Sequence, residues 1–381
     1  MKQTLHLFKD DKFIDHFINN LQKIDNIENH CFISYDIKGH SSFKYIKSKH
    51  VNYKALKKLC ESNEINQYDN IVIHNLTDEL WPLINKLKDN IRLFWILFGA
   101  DFYPITNYNL YQPETLKYLN NIGIKKYIPN VIIKYKNKLS KKQKAKKKII
   151  MIKRVNYMLH YNPYEIDIVK KITGSDARYV EFKYGKFGEI MSGSYNFNDN
   201  VFNDLFQRDV TKSMIIGNSG NPSNNHIEAF TIIKNNRNLE NYYVIVPLSY
   251  GNKDYIDYII KIGTNMFGEK FLPLKKFISP LNYFSLLKKV NIGIYNHNRG
   301  QGAGNILPMA WLGKPIFLQE KNLLYPYLKS LGINSFKMEE LINFHNTNMN
   351  FTENNRYKII QNFSKTKVLD NMNEIVKIFQ S

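Results

Sequence analysis

Short runs that are apolar at nearly every position alternate with helix-length stretches, and this pattern constrains the fold more than any other feature. In the second half the runs are 212–217, 242–248, 291–296 and 314–319, with a shorter one at "KFLPL". Helices are expected between them at 225–235, 254–266, 280–289 and 304–312. A strand that is apolar on both faces must be covered on both, as in a parallel sheet flanked by helices. The expectation is α/β, an open doubly wound domain. The first half repeats the pattern less regularly, with "HCFISYD" (30–36), "NIVIHNL" (70–76) and "IRLFWILFGADFYP" (91–104). The chain has 381 residues, enough for two domains. They are expected at 1–205 and 206–360, meeting near the polar stretch "MSGSYNFNDNVFND". The amphipathic segment 361–381 reads as a terminal helix free to pack back on the first domain.

The chain is 43% hydrophobic and 14% aromatic, so it can bury real cores. Its longest apolar runs, "LFWILFGA" and "YYVIVPL", have strand length and fall short of the roughly 18–20 residues of a membrane span. The N-terminus lacks a signal-peptide core. Cys31 and Cys60 have neither zinc-site nor CxxC spacing. These features point to a cytoplasmic protein with free thiols.

The net charge is +21, and it is uneven. From Lys134 to Arg154 eleven residues are basic and none is acidic. Such a block is either a solvated linker or a contact for an anionic surface. Near an anionic membrane each Lys or Arg contributes roughly 1 kcal/mol. The apolar and aromatic neighbours favour a membrane, with Lys141, Lys142, Lys144, Lys146, Lys147 and Lys148 as contacts. No zinc, helix-turn-helix or RNP-type pattern supports nucleic-acid binding.

Two strand-to-helix junctions carry the candidate chemistry. The first, "IGNSGNPSNNHIEAF", is almost wholly Gly, Asn, Ser and Pro between the strand and the helix. Ligands of open α/β sheets sit at the carboxyl ends of strands, where a helix N-terminus offers unpaired amides to phosphate. Gly217 and Gly220 allow close backbone approach, and Asn218, Ser219, Asn221 and Ser223 donate without adding charge. A capped turn accounts for the same residues, with Asn225 as N-cap and Glu228 three positions on. The loop is neither a Walker A nor a GxGxxG motif. The second junction, "NHNRGQGAGN", holds Arg299, Gln301, Gly300, Gly302, Gly304 and Asn305. Only seven arginines stand against 47 lysines, so a guanidinium in a glycine-rich loop suggests a diphosphate fork.

These stretches, with "VPLSYGNKDYIDYIIKIGTNMFG" between them, resemble the bacterial N-acetylfucosaminyltransferases of glycosyltransferase family 56. "FGADFY" (98–103) is similar to that family's Trp-Gly-x-Asp-Leu-Tyr stretch, with Phe98 in place of Trp. The resemblance covers about 212–320 closely and the first half only in short stretches. It implies a GT-B fold, two Rossmann-like domains facing across a cleft, with the nucleotide-sugar donor on the C-terminal domain and the acceptor on the N-terminal one. It further implies a TDP-sugar donor, a polyprenyl-diphosphate-linked acceptor, inversion, and a peripheral position at the cytoplasmic face of the bacterial inner membrane.

Without an Asp-x-Asp motif, helix N-termini and a cation must stabilise the leaving diphosphate, and no metal or separate cofactor is expected. Gly217, Asn218 and Ser219 are expected to donate to phosphate. Asn224 and Asn225 orient the loop or meet the sugar. Arg299, Gln301, Gly302, Gly304 and Asn305 bind from the other side. Glu228 and His226 serve as ligand contacts or structural residues; Tyr250 and Asn252 line a base pocket or an ordinary turn. The base is sought at strand ends of the first domain: Asp101 first, then His74 and Asp36. A GT-B transferase using a UDP- or GDP-sugar, a basic nucleic-acid-binding protein and an inactive membrane scaffold are the rival readings.

Overall fold

The structure is a computed structural model describing residues 2–11, 13–35, 45–106, 108–125, 131–183, 212–344 and 351–381. Side chains are described at all of these except 105, 122–125 and 131–141. Two compact units divide the chain. The first comprises Met1–Tyr108, Asn130–Lys186 and Lys365–Ser381, the second Asn109–Pro129 and Phe187–Ser364. The stretch 109–129, expected within the first domain, therefore belongs to the second. The expected boundary at 205 lies outside the described residues.

The first unit begins with β1 (Thr4–Phe8), α1 (Ile14–Leu21), β2 (His30–Ser34), β3 (Val51–Tyr53), α2 (Leu56–Glu61), β4 (Asn70–His74), α3 (Trp81–Ile84) and β5 (Arg92–Ile96). The chain then contributes α4 (Pro113–Lys125) to the second unit. The first unit resumes with α5 (Val131–Arg154), β6 (Tyr157–His160), α6 (Pro163–Thr173) and β7 (Arg178–Glu181). Its seven strands are parallel in the order β3-β2-β1-β4-β5-β6-β7. β1 and β4 are buried at every position, so their apolar runs face helices on both sides. α6 shows how sequence sets an element's limits: the Asn162 side chain accepts from the Tyr164 amide, Pro163 opens the helix and Gly174 at φ +66° ends it.

In the second unit follow β8 (Ser213–Ile216), α7 (His226–Asn235), β9 (Tyr243–Pro247), α8 (Lys253–Phe267), β10 (Phe271–Leu274), α9 (Pro280–Lys289), β11 (Ile292–Tyr295), α10 (Ala303–Trp311), β12 (Ile316–Leu318), α11 (Leu324–Ser330), β13 (Phe336–Lys337) and α12 (Thr352–Phe363). The sheet is parallel, in the order β10-β9-β8-β11-β12-β13. Its core joins Met214, Ile216, Phe230, Val244, Val246, Ile294 and Phe317, and Tyr118 of α4 packs into it.

The last helix, α13 (Lys365–Gln380), belongs to the first unit. Val368, Met372, Ile375, Val376 and Phe379 form its buried stripe. Asn70 Nδ2 (3.0 Å) and Arg92 Nη2 (2.6 Å) donate to the Phe379 carbonyl, satisfying an acceptor that the helix end leaves open.

Candidate active site

In the second unit strand order reverses between β8 and β11, and the loops that leave these two strands meet at the carboxyl edge, where open α/β sheets bind ligands. Gly217 turns the chain off β8 at φ +69°. A Cβ there would lie 2.5 Å from Asn224 Oδ1 and 2.9 Å from His226 Nε2, so only glycine fits.

Asn224 is the hub of this edge and is wholly buried. Its Oδ1 accepts from the Asn218 amide (2.9 Å) and meets His297 Nε2 (2.8 Å). Its Nδ2 donates to Ser219 Oγ (3.2 Å) and the Asn221 carbonyl (3.0 Å). Asn225, left-handed at φ 50°, donates to the Asn296 carbonyl (3.0 Å) and accepts from the Gln112 amide (2.9 Å). Gln301 donates to Asn218 Oδ1 (3.0 Å) and accepts from Ser223 Oγ (2.9 Å). The two glycine-rich loops are thus laced into one structure.

This lacing changes the roles expected for several residues. The Gly217 amide donates to the Ile294 carbonyl (2.8 Å), and the Asn218 amide to Asn224. Ser219 Oγ accepts from Asn221 and Asn224. These groups brace the loop, because packed amide side chains satisfy one another before any ligand arrives. Gln301 acts likewise. Glu228 accepts from the Thr115 amide (2.8 Å) and hydroxyl (2.7 Å), capping α4. The capping box suggested by Asn225 and Glu228 does not form, since Asn225 makes no side-chain cap bond to α7. Asn252 Oδ1 accepts from the Tyr255 amide (2.9 Å) and caps α8. His226 is buried against the Tyr255 hydroxyl (3.3 Å), and burial pushes its pKa down to about 3.

The second loop leads into α10 at the same edge. Gly302, at φ +81°, is its N-cap and supplies no side chain. The first amides of a helix have no partner within it. A Cβ on Gly304 would meet nothing within 4 Å, so the space beside this turn is open. Arg299 lies in the same loop; its charge, after burial, holds His297 below the usual imidazole range. Asn305 Nδ2 bonds the Tyr283 hydroxyl (2.9 Å) and fixes α10 against α9. Tyr250, 56% exposed, follows β9 at this edge. Phe277, 81% exposed, follows β10.

The first unit carries the base candidates. Asp101 is buried and accepts from the Leu76 amide (2.9 Å), the Trp95 indole (2.8 Å) and the Phe98 amide (3.2 Å). Burial raises its pKa, while Trp95, Leu76 and Lys148 hold it down. With three N–H donors it is a clasp joining the ends of β4 and β5, not an accessible base. His74 ends β4, is buried, and is pushed by burial to about 3, a neutral imidazole. Asp36 lies outside the described residues. Of the basic contacts, Lys142, Lys144, Lys146 and Lys147 are exposed on α5. Lys148 is not: its ammonium is buried, donates to the Leu76 carbonyl and pairs with Asp78 (2.9 Å). Lys141 has no described side chain.

Sequence reading missed Asn296, His297 and Gln112. Asn296 Oδ1 accepts from Gln112 Nε2 (2.8 Å), and its Nδ2 donates to the Asn225 carbonyl (3.0 Å). The run of polar residues directly after an apolar strand was a signal for the first two. Gln112 gave none, being 113 residues from Asn225.

Residues 195–357 match the family model for 4-alpha-L-fucosyltransferase, glycosyl transferase group 56. That span contains both laced loops. Anabaena HepE, solved with UDP and glucose, is similar at TM-score 0.66 and 11% identity, covering 100% of this chain and 99% of HepE. A glycosyltransferase from Rickettsia africae gives 0.63 at 12% identity over 100% and 99% of the chains. Sucrose-phosphate synthase from Thermosynechococcus elongatus gives 0.64 at 7% identity over 100% and 99%. At such identities the likeness is one of fold. The chain is a glycosyltransferase of GT-B fold, and its residues 195–357 carry the pattern of glycosyltransferase group 56.

Proposed function

We propose that this chain moves an N-acetylfucosamine-type deoxyamino sugar from a TDP-activated donor to a polyprenyl-diphosphate-linked glycan at the cytoplasmic face of the membrane. The observation that carries this reading is the coincidence of the family match, 195–357, with the part of the chain that builds the switch-point loops. The diphosphate rests at the amino end of α10, where helix amides and the Arg299 guanidinium meet developing negative charge as the C–O bond breaks. Tyr250 flanks the nucleotide base. With no Asp-x-Asp pair in the sequence, that stabilisation needs no metal. Transfer inverts the anomeric centre, and a base of the first unit takes the acceptor proton. The exposed lysines of α5 draw the enzyme to anionic lipid. No helix among the described residues is long and apolar enough to cross a membrane.

A UDP-sugar donor is the competing reading, supported by UDP in the HepE structure. Purified protein incubated with a TDP- or UDP-linked deoxyamino sugar and a synthetic polyprenyl-diphosphate disaccharide separates the two. The expected result is an acceptor heavier by one sugar residue, formed only with the TDP donor. Turnover of the UDP donor alone would replace the donor assignment, and turnover of neither would overturn the reading.

A further inference from the structure

A strap from the first half of the chain is tied across the carboxyl edge of the second sheet. Asn109–Pro129 belongs to the second unit, although the first unit supplies the chain on either side of it. From Asn109 into the start of α4 the strap bonds to both glycine-rich loops. On the side of the first loop, Asn225 Nδ2 donates to the Leu110 carbonyl (3.2 Å) and Asn225 Oδ1 accepts from the Gln112 amide (2.9 Å). The Thr115 amide and hydroxyl donate to the Glu228 carboxylate in the first turn of α7. On the side of the second loop, Gln112 and Asn296 pair amide to amide. Gln112 Nε2 donates to Asn296 Oδ1 (2.8 Å), and Asn296 Nδ2 donates to Gln112 Oε1 (3.2 Å). Asn298 Nδ2 donates to the Asn109 carbonyl (2.9 Å). Gln112 thus touches both loops, the first with its backbone and the second with its side chain.

The strap treats the two helix ends at this edge differently. At α7 it occupies the N-cap and the first turn. Asn225 stands there at φ 50°, a left-handed backbone that asparagine tolerates and that the two strap bonds hold. The next amide, of His226, is bonded to the Tyr255 hydroxyl (3.3 Å). At α10 the strap holds instead the loop that leads into the helix. Each of the three residues before Arg299 is fixed: Asn296 by Gln112, His297 by Asn224 (2.8 Å) and Asn298 by the Asn109 carbonyl. A loop ordered in advance spares a ligand the entropy cost of ordering it.

We propose that Gln112 is a positioning residue of the donor site, and that the strap directs the diphosphate to α10 by occupying the start of α7 and holding the loop that carries Arg299. This rests on the transferase reading above, in which a nucleoside diphosphate sits at the amino end of α10. Gln112 does not meet the ligand. It acts through Asn296, which sets the path of the backbone into Arg299 and the first turn of α10. The strap lies outside residues 195–357, the span that carries the group 56 pattern, so the donor site takes a part from the other half of the chain.

Full-length wild type, Gln112→Ala, Asn296→Ala, the double variant and Thr115→Val test this, with TDP and UDP as probes. Thr115→Val removes the hydroxyl bond to Glu228 and leaves the Gln112–Asn296 pair in place, so it reports what loosening the strap does by itself. Asn296 keeps its bonds to the Asn225 carbonyl and to Gln319 when Gln112 is truncated. Titration calorimetry should therefore show a moderate loss in Gln112→Ala, about tenfold in affinity for the preferred diphosphate. The double variant should match Asn296→Ala within about twofold, because Gln112 acts through Asn296. In the transfer assay the donor KM should rise by the same factor as the affinity falls, and the acceptor KM should not move. With no nucleotide present, amides of 296–305 should exchange about tenfold faster in Gln112→Ala and at the wild-type rate in Thr115→Val. Unchanged exchange there, unchanged affinity in Gln112→Ala, or equal losses in Gln112→Ala and Thr115→Val would overturn the positioning role. A wild type that binds neither nucleotide while 296–305 responds as expected would instead overturn the transferase reading, and the donor role of Gln112 with it.

Discussion

Replacing Asn224 with alanine tests whether the laced loops are the structural basis of the donor site. The side chain makes four hydrogen bonds within a fully buried edge. Alanine leaves the Asn218 amide, the His297 Nε2 proton and the Asn221 carbonyl without their partner. Each such group costs about 1–3 kcal/mol when it stays buried. The three share one loop that relaxes as a unit, so the sum is less than additive, about 3 kcal/mol. The loss should be local, and hydrogen exchange followed by mass spectrometry reads it directly. Amides of 213–235 should exchange about a hundredfold faster, since about 1.4 kcal/mol is a factor of ten. Amides of the first sheet should be unchanged. Nucleotide affinity should fall at least tenfold, because Asn218 and Gln301 lose their anchor. Protection at 213–235 within a factor of three of the wild type would refute the view that Asn224 holds the loop.

Other expectations follow from the same geometry. Gly304→Ala should leave stability unchanged, whereas Gly217→Ala should lower it by about 2–4 kcal/mol through the left-handed backbone and the contact with Asn224; thermal denaturation compares them. Lys142, Lys144, Lys146 and Lys147 changed together to alanine should keep the melting temperature but lose about 4 kcal/mol of affinity for phosphatidylserine vesicles, measured by flotation. Lys148→Ala should instead destabilise by about 2–3 kcal/mol in a urea titration, because it strands the Leu76 carbonyl. Stability should also fall with acid. Burial lowers His74 and His226 to about 3 and His160 to about 4, below the usual 6.5, so the unfolded chain binds more protons as pH drops below 6.5. At pH 5 each contributes a loss on the order of 2 kcal/mol, and a melting temperature flat between pH 7 and 5 would contradict this.

The fold class was legible because fully apolar strands spaced by helix-length stretches admit few arrangements. β8, β9 and β11 fall where their apolar runs predict, and "KFLPL" is the site of β10. β3, β7 and β13 are short, polar or exposed at some positions, and carry no such signal. The two loops stood out by their composition, yet the bonds within them did not. Asn and Ser suit a phosphate and suit each other equally, and only three-dimensional contact shows that Asn218, Ser219 and Gln301 bond inside the loops. Glu228 misled for a similar reason: its partner Thr115 is 113 residues away. Lys148 looked like one member of a basic run, but the helical period turns it inward while Lys146 and Lys147 stay exposed. Asp101 satisfied the rule of the strand's carboxyl end, and burial under three donors was invisible in the sequence.

The most direct test of a donor site at the switch point is the thermal shift of wild type and Arg299→Ala with TDP, UDP, GDP, ADP and a ribo-oligonucleotide. Selective stabilisation by one nucleoside diphosphate, TDP on the present reading, that is lost in Arg299→Ala is the predicted result. No response to any diphosphate, with oligonucleotide binding that Arg299→Ala leaves intact, would contradict it.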